Sequence, residues 1–216
     1  MKLTDDQQLR LDIYKETKDI KQARELYDFI TDPLPELRRG TIQEAYNENP
    51  DGVFVVFENG TYAPWNPDSA YENEDSVIGI GIKQGDRSIM VALHDIGSYP
   101  LPKVKNANHI TELEDAVDDF KGKDNTEILE RAGLDFDIAQ GWWLPSVGEL
   151  LLIFTHLKQV NEALRYFNGT PLEGWRWSST SYGATNAWDV YFGSGTVNGS
   201  YGTRVYAYRV RAVAAF

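Results

Sequence analysis

The hydrophobic period of this chain changes twice, and that order restricts its fold more than any single motif does. Leu9, Leu11, Ile13, Tyr14, Ile20, Leu26, Tyr27 and Ile30 recur at roughly helical spacing before Pro33 and Pro35 break the pattern. Strand-like runs follow. VFVVF, the turn pair Asn59-Gly60 and a second apolar run read as a hairpin, and SVIGIGIK, QGDR and SIMVAL as another. From Thr111 the period becomes helical. TELEDAVDDF opens on a Thr111–Glu114 capping box, and DNTEILERAG opens on Asp124–Glu127 and stops at Gly133. The clearest helix runs from Val147 to Phe167, between a Ser146–Glu149 capping box and a stop at Asn168-Gly169. Val147, Leu150, Leu151, Phe154, Leu157, Val160, Leu164 and Phe167 line its one apolar face.

After that helix the period returns to two. In NAWDVYF, alternation sends Trp188, Val190 and Phe192 inward and Asp189 and Tyr191 outward. In YRVRAVAAF, Arg209 and Arg211 share a face opposite Val210. Helix, strands, helices, strands in that order, with no internal repeat, predict one α+β domain over residues 50–216. Residues 1–49 are expected to form a short helical segment that packs on or precedes it, an oligomerisation helix being the alternative.

Charge and composition exclude several classes of function. The net charge is −12, and the imbalance lies upstream: residues from Gly174 onward carry four Arg and one Asp. So acidic a chain repels a phosphate backbone, and no nucleic-acid partner is expected. The opening MKLTDDQQLRLD has no apolar core of the kind a secretory signal needs, and no run is long enough to span a bilayer, so membrane insertion is not expected. The chain has no cysteine, which removes disulfides, thiol catalysis and Cys-ligated metals.

The sequence carries no recognisable catalytic or metal-binding pattern either. His94, His109 and His156 lie far apart in sequence, with no ligand spacing. The acidic stretches lack the alternating oxygen ligands and closing carboxylate of a Ca²⁺ loop. Ser178 and Ser179 have no histidine nearby in sequence to activate them. No phosphate loop, nucleophile elbow or dinucleotide fingerprint occurs. A non-enzymatic protein without metal or cofactor is expected, and binding that does not need Ca²⁺.

The last 43 residues are chemically distinct. From residue 181 to 208, Ser, Tyr, Gly, Asn and Thr fill 18 of 28 positions. That is the alphabet of antibody binding loops: Tyr gives broad amphipathic contact at low entropy cost, and the small polar residues adapt their hydrogen bonds. Lys, Glu, Gln and Met occupy 34 of the first 173 positions, a rate that predicts about eight after Glu173; there are none. Strand propensity disfavours Lys and Glu but does not require their complete absence.

GWWLPSVGELLLIF, GWRWSSTSYGATNAWDVYFGSG and the ending YRVRAVAAF together resemble the variable proteins of diversity-generating retroelements, known from bacteriophages and from bacteria including gut Bacteroidetes. DGVFVVFENGTY, SVIGIGI and IMVAL are similar to the early strands of the same family, so the resemblance covers roughly residues 50–216. It implies a C-type-lectin-like fold, with VFVVF beside RVRAVAAF, and a variable region at about 176–211. In that family adenine-directed mutagenesis acts mostly on AAC codons, which cannot become Lys, Glu, Gln, Met or Trp codons. The resemblance therefore implies a diversified ligand-binding surface made of Gly183, Ala184, Thr185, Asp189, Tyr191, Ser194, Thr196, Asn198, Gly199, Ser200, Tyr201, Thr203, Tyr206, Ala207 and Tyr208. Trp177, Trp188, Val190, Phe192, Val210 and Val213 would be scaffold. The Ca²⁺-binding tripeptides of sugar-binding C-type lectins are absent. The function implied is recognition of a protein or cell-surface ligand, by a monomer or a trimer, on a phage tail or a bacterial surface. A constant adhesin-like module of the same fold with a fixed ligand is the alternative.

Overall fold

The computed structural model describes residues 51–71, 74–105, 108–199 and 202–216. The segment expected to be helical over residues 1–49 lies outside them, as do Ser200 and Tyr201. The described part is α+β: two sheets, antiparallel but for one strand pair, and four helices.

The first sheet contains β1 (Gly52–Phe57), β2 (Tyr62–Pro64), β3 (Val77–Gln84), β4 (Arg87–Ala92), β6 (Trp142–Trp143) and β11 (Val213–Ala214). Their spatial order is β2-β1-β3-β4-β11-β6. Both hairpins form as their turn residues require. Gly60 takes φ +80° between β1 and β2, and Gly85 takes φ +60° at the first position of the two-residue β3–β4 turn. β1 is buried along VFVV without alternation because both its faces are covered. Val53 and Val55 join the main core, while Phe54 lies 5.4 Å from the Tyr62 ring and 5.8 Å from Phe216.

The resemblance put VFVVF beside the C-terminal strand. They share a sheet but do not pair: Val213 and Ala214 lie opposite Val91 and Met90 of β4, two strands away from β1.

The second sheet has the order β5-β10-β7-β8-β9, from β5 (Gly97–Tyr99), β7 (Trp175–Ser181), β8 (Ala187–Tyr191), β9 (Thr196–Asn198) and β10 (Tyr208–Val210). The β10–β7 pair is the parallel one. Four helices sit between β5 and β7 in sequence: α1 (Leu113–Val117), α2 (Gly122–Arg131), α3 (Val147–Thr155) and α4 (Leu157–Tyr166). Leu150, Ile153, Val160 and Leu164 of α3 and α4 fill the space between Val55, Ile80, Ile82 and Val91 of the first sheet and Val190 and Phe192 of the second. That shared core fixes the second sheet's other face outward.

Three helix boundaries differ from the sequence reading. α1 starts at Leu113 with Glu112 before it, and Thr111 only bonds to the Glu112 side chain. α2 starts at Gly122, two residues before Asp124, because Asp119 captures the Lys121 N–H and the Asn125 side chain. The expected single helix over 147–167 is two. Thr155 Oγ1 donates to Leu152 O at 2.8 Å and the His156 ring sits 3.1 Å from the same oxygen, so side chains compete for a carbonyl that would continue the ladder. The ends of this pair are as expected. The Ser146–Glu149 capping box forms, and α4 closes in a Schellman motif with Asn168 at φ +56°, Gly169 N–H to Leu164 O and Asn168 N–H to Arg165 O.

Candidate functional site

The register of the second sheet sorts its residues by face. Trp175 lies opposite Tyr191 and Trp177 opposite Asp189, while Asp189 and Tyr191 lie opposite Asn198 and Thr196. Cross-strand partners share a face, so these six side chains stand together. Trp188, Val190 and Phe192 point the other way and are at most 5% exposed.

On the outer face the rings make a continuous strip. Ring centroids are 5.0 Å apart for Tyr191 and Trp175, 6.1 Å for Trp175 and Tyr208, and 5.8 Å for Tyr208 and Tyr206. Tyr208 also covers Trp177 at 4.6 Å, and Trp177 is fully buried, like Asp189 opposite it. The Trp177 indole N–H donates to Tyr99 O at 2.8 Å, locking the ring. At one end of the strip, Ser98, Glu173, Trp175, Ala207, Tyr208 and Arg209 line an open groove of about 430 Å³. Val205 and Tyr206, 68% and 51% exposed, project from the loop beside it.

The fifteen expected ligand-binding positions divide into three groups. Ala184, Thr185, Tyr191, Ser194, Thr196, Tyr206 and Ala207 are exposed, and Gly183, Asn198, Thr203 and Tyr208 are half-buried. Asp189 and Gly199 are buried. Their outward placement is corrected by the segment that follows β9. Gly202 O accepts the Ala187 N–H, Thr203 bridges Asn186, and Arg204 N–H reaches Thr185 O, so this segment runs beside the turn that enters β8, with Gly202 close against the Asp189 carboxylate. A Cβ added at Gly199 would come within 2.5 Å of the Tyr182 ring and 2.9 Å of the Trp188 ring. Ser200 and Tyr201 lie outside the described residues.

Burial changes the chemistry of this face. Desolvation pushes the Asp189 carboxyl up to about 7, and the Asn198 amide, 3.2 Å away, only partly offsets it. Burial, Asp189 and Tyr206 raise the Tyr208 hydroxyl above its ordinary range.

Behind the sheet, Asp95 holds Arg211 Nε at 2.7 Å and Arg176 Nη2 at 3.2 Å, with Arg209 at 3.9 Å. Arg211 also donates to Ala92 O, Leu93 O and Thr170 O. Arg209 and Arg211, expected on one face, both reach Asp95 but differ in exposure: the first is exposed, the second buried.

Sequence reasoning missed two features. Trp175, not singled out in the sequence, sits at the centre of the aromatic strip; its two-residue spacing from Trp177 was the available signal. His109 has no sequence neighbour among the serines, yet its Nδ1 lies 2.9 Å from Ser181 Oγ, which also accepts from Arg204 at 2.8 Å. Among the described residues no carboxylate holds that ring, so the group is a hydrogen-bond network and not a nucleophile–base–acid relay. Ser178 Oγ is spent on Trp188 O. His94 and His156 bond elsewhere, to Thr170 and around Leu152. Among the described residues no cluster of three or more His, Cys, Asp or Glu is placed to hold a metal, and no helix is long and apolar enough to cross a membrane.

No family model matches the chain, and no curated protein matches it. Its fold is similar to a crystal structure of a fimbrial protein from Bacteroides ovatus ATCC 8483, with a TM-score of 0.55 and 16% sequence identity. The likeness covers 76% of this chain and 48% of that one, so the chain spans about half the length of the protein whose fold it shares.

Proposed function

We propose that this protein is a ligand- or receptor-binding protein whose recognition surface is the outer face of the second sheet, on a C-type-lectin-like domain. The observation that carries the reading is the strip Tyr191–Trp175–Tyr208–Tyr206. It is a run of rigid amphipathic rings, exposed at Tyr191 and Tyr206 and half-buried at Trp175 and Tyr208, with small polar side chains beside it, in the one segment that lacks Lys, Glu, Gln and Met. Such rings supply contact area with little entropy to lose, and aromatic anchors dominate most interface energetics. In this reading the exposed positions are diversified by retroelement-directed mutagenesis, and the protein is displayed at a bacterial surface or on a phage tail. The fold's likeness to a fimbrial protein fits the bacterial surface better.

A specific observation favours the second reading, a constant adhesin-like module with a fixed ligand. Asp189 and Gly199 are within the variable set, yet both are enclosed, and Gly199 has no room for a side chain. DNA sequence separates the two. An adenine-rich near-copy of the segment coding for residues 176–211, beside a reverse transcriptase gene, is expected for the first and absent for the second.

The recognition face itself is tested by replacing Tyr191, Ser194, Thr196, Tyr206 and Ala207 together. Surface changes cost about 0.5 kcal/mol or less each, so the variant should melt close to the parent. On arrays of bacterial surface proteins and glycans it should lose or change the parent's signals. An unchanged binding pattern would sink the proposal.

A further inference from the structure

Away from the aromatic strip, a second cavity of about 350 Å³ opens between α1, α2 and the end of β7. Its lining shares no residue with the groove beside Trp175. Arg204 lines it and is 1% exposed. Its Nη2 donates to Ser181 Oγ, but Nε and Nη1 have no acceptor, and no carboxylate pairs with the guanidinium among the described residues. Ser179 Oγ, 3% exposed and lining the same cavity, is also without a partner. Burial holds Arg204 down at about 10, so it stays charged at neutral pH. A buried cation with open donors is costly, and proteins keep such a group where an anion completes it.

The mouth has the opposite sign. Asp115, Asp118 and Asp124 are exposed around it, with Lys121 the cation among them. Asp119 is satisfied internally by Lys121 N–H, Asn125 and Thr180. Between mouth and floor the wall is apolar, from Val104, Ile110, Ile128 and Leu129. A simple anion would be repelled on entry, and a simple cation would meet Arg204 at the floor.

We propose that this pocket binds a lysine-type zwitterion, its carboxylate on Arg204 and Ser179, its methylene chain along the apolar wall, and its ammonium among the aspartates of the mouth. The source is the carboxy-terminal lysine of a peptide, whose α-nitrogen is an uncharged amide, whereas free lysine would bring a second ammonium to Arg204. This site is independent of the recognition face and stands or falls separately from it.

Calorimetric titration of the full chain with 6-aminohexanoate, hexanoate and pentylamine tests the charge pairing. Saturable binding of 6-aminohexanoate is expected, at least about tenfold tighter than either singly charged probe, the scale of losing one charge-assisted contact. L-lysine, Ala-Ala-Lys and Ala-Ala-Lys-amide then identify the source: the peptide binding more tightly than lysine, and the amide not binding, assigns the chain end. Lysine binding more tightly than the peptide would overturn the placement of the carboxylate on Arg204, because its α-ammonium would lie against that guanidinium. Arg204→Met should remove binding. If that variant does not fold, the triple variant Asp115→Asn, Asp118→Asn, Asp124→Asn, all at exposed positions, should weaken 6-aminohexanoate by about tenfold while leaving hexanoate unchanged or tighter. No saturable binding to the parent, hexanoate binding as tightly as 6-aminohexanoate, or binding that survives Arg204→Met would each overturn the proposal.

Discussion

Asp189 is fully buried on a central strand and accepts from one amide, that of Asn198. Its carboxyl is raised from 3.8 to about 7 by desolvation. The sign follows from linkage. The folded protein binds this proton more tightly than the unfolded chain does, so stability rises as pH falls from about 7 and the gain is complete near 4. Above 7 the buried charge is a constant cost, ~4 kcal/mol at most for a shift of this size. Asp189→Asn keeps an acceptor for Asn198 and removes the charge. It should stabilise the protein at pH 8 and have little effect at pH 4, read as urea midpoints at both values. Equal pH slopes for the two proteins would show that Asp189 is ionised and compensated in the fold.

At the scale of elements, the entry to α3 binds helix, strand and loop together. Glu149 Oε2 accepts the Ser146 N–H at 2.8 Å, and both carboxylate oxygens lie within 3.3 Å of the Trp143 indole nitrogen. Ser146 Oγ donates to Asp119 O, and Thr180 Oγ1 accepts the Val147 N–H. Glu149→Ala strands the buried Ser146 N–H and the half-buried Trp143 indole N–H and should cost roughly 2–4 kcal/mol, whereas Glu149→Gln keeps an acceptor and should recover more than half of that. Denaturant melts of the two variants check the difference.

The capping box was legible because its signal is local: a serine, a glutamate three residues on, and an apolar run. The hairpin turns at Gly60 and Gly85 were legible for the same reason. The break at His156 was not, because Thr155 and His156 leave the apolar stripe intact while drawing on the Leu152 carbonyl. Nor was the early start of α2, which depends on Asp119. Alternation gave the correct face for Trp188, Val190 and Phe192, but alternation assigns a face and not its exposure. Gly202, close against Asp189, is placed there by the pairing of residues 202–204 with residues 185–187 at the entry to β8. The floor of the second cavity was hidden likewise, since Arg204 bonds Ser181 and shares the cavity with Ser179 only after the strand and the loop have folded together.

At the scale of the whole described domain, the two sheets are joined through the last residues. β10 sits between β5 and β7 in the second sheet, and after Arg211 and Ala212 the chain enters the first sheet as β11, between β4 and β6. Arg211 fastens the crossing by bonding Asp95 and the carbonyls of Ala92, Leu93 and Thr170. Deleting residues 209–216 therefore does more than shorten an edge. It removes the strand that joins β6 to the first sheet, truncates an interior strand of the other, leaves Asp95 with one arginine of three, and uncovers Phe54 and Met90. Backbone groups of β4 and β6 would lose their partners inside the protein, where each unsatisfied group costs about 1–3 kcal/mol. Several such losses exceed the roughly 5–15 kcal/mol that separates most folded domains from their unfolded chains. The truncated protein should show no cooperative thermal transition and no dispersed amide spectrum. The single variant Phe216→Ala, which removes one half-buried ring and leaves the pairing intact, should fold with a loss of about 1–3 kcal/mol. A cooperative melt from the deletion variant would mean that the two sheets hold together through the α3–α4 core alone, with the C-terminal crossing as a dispensable addition.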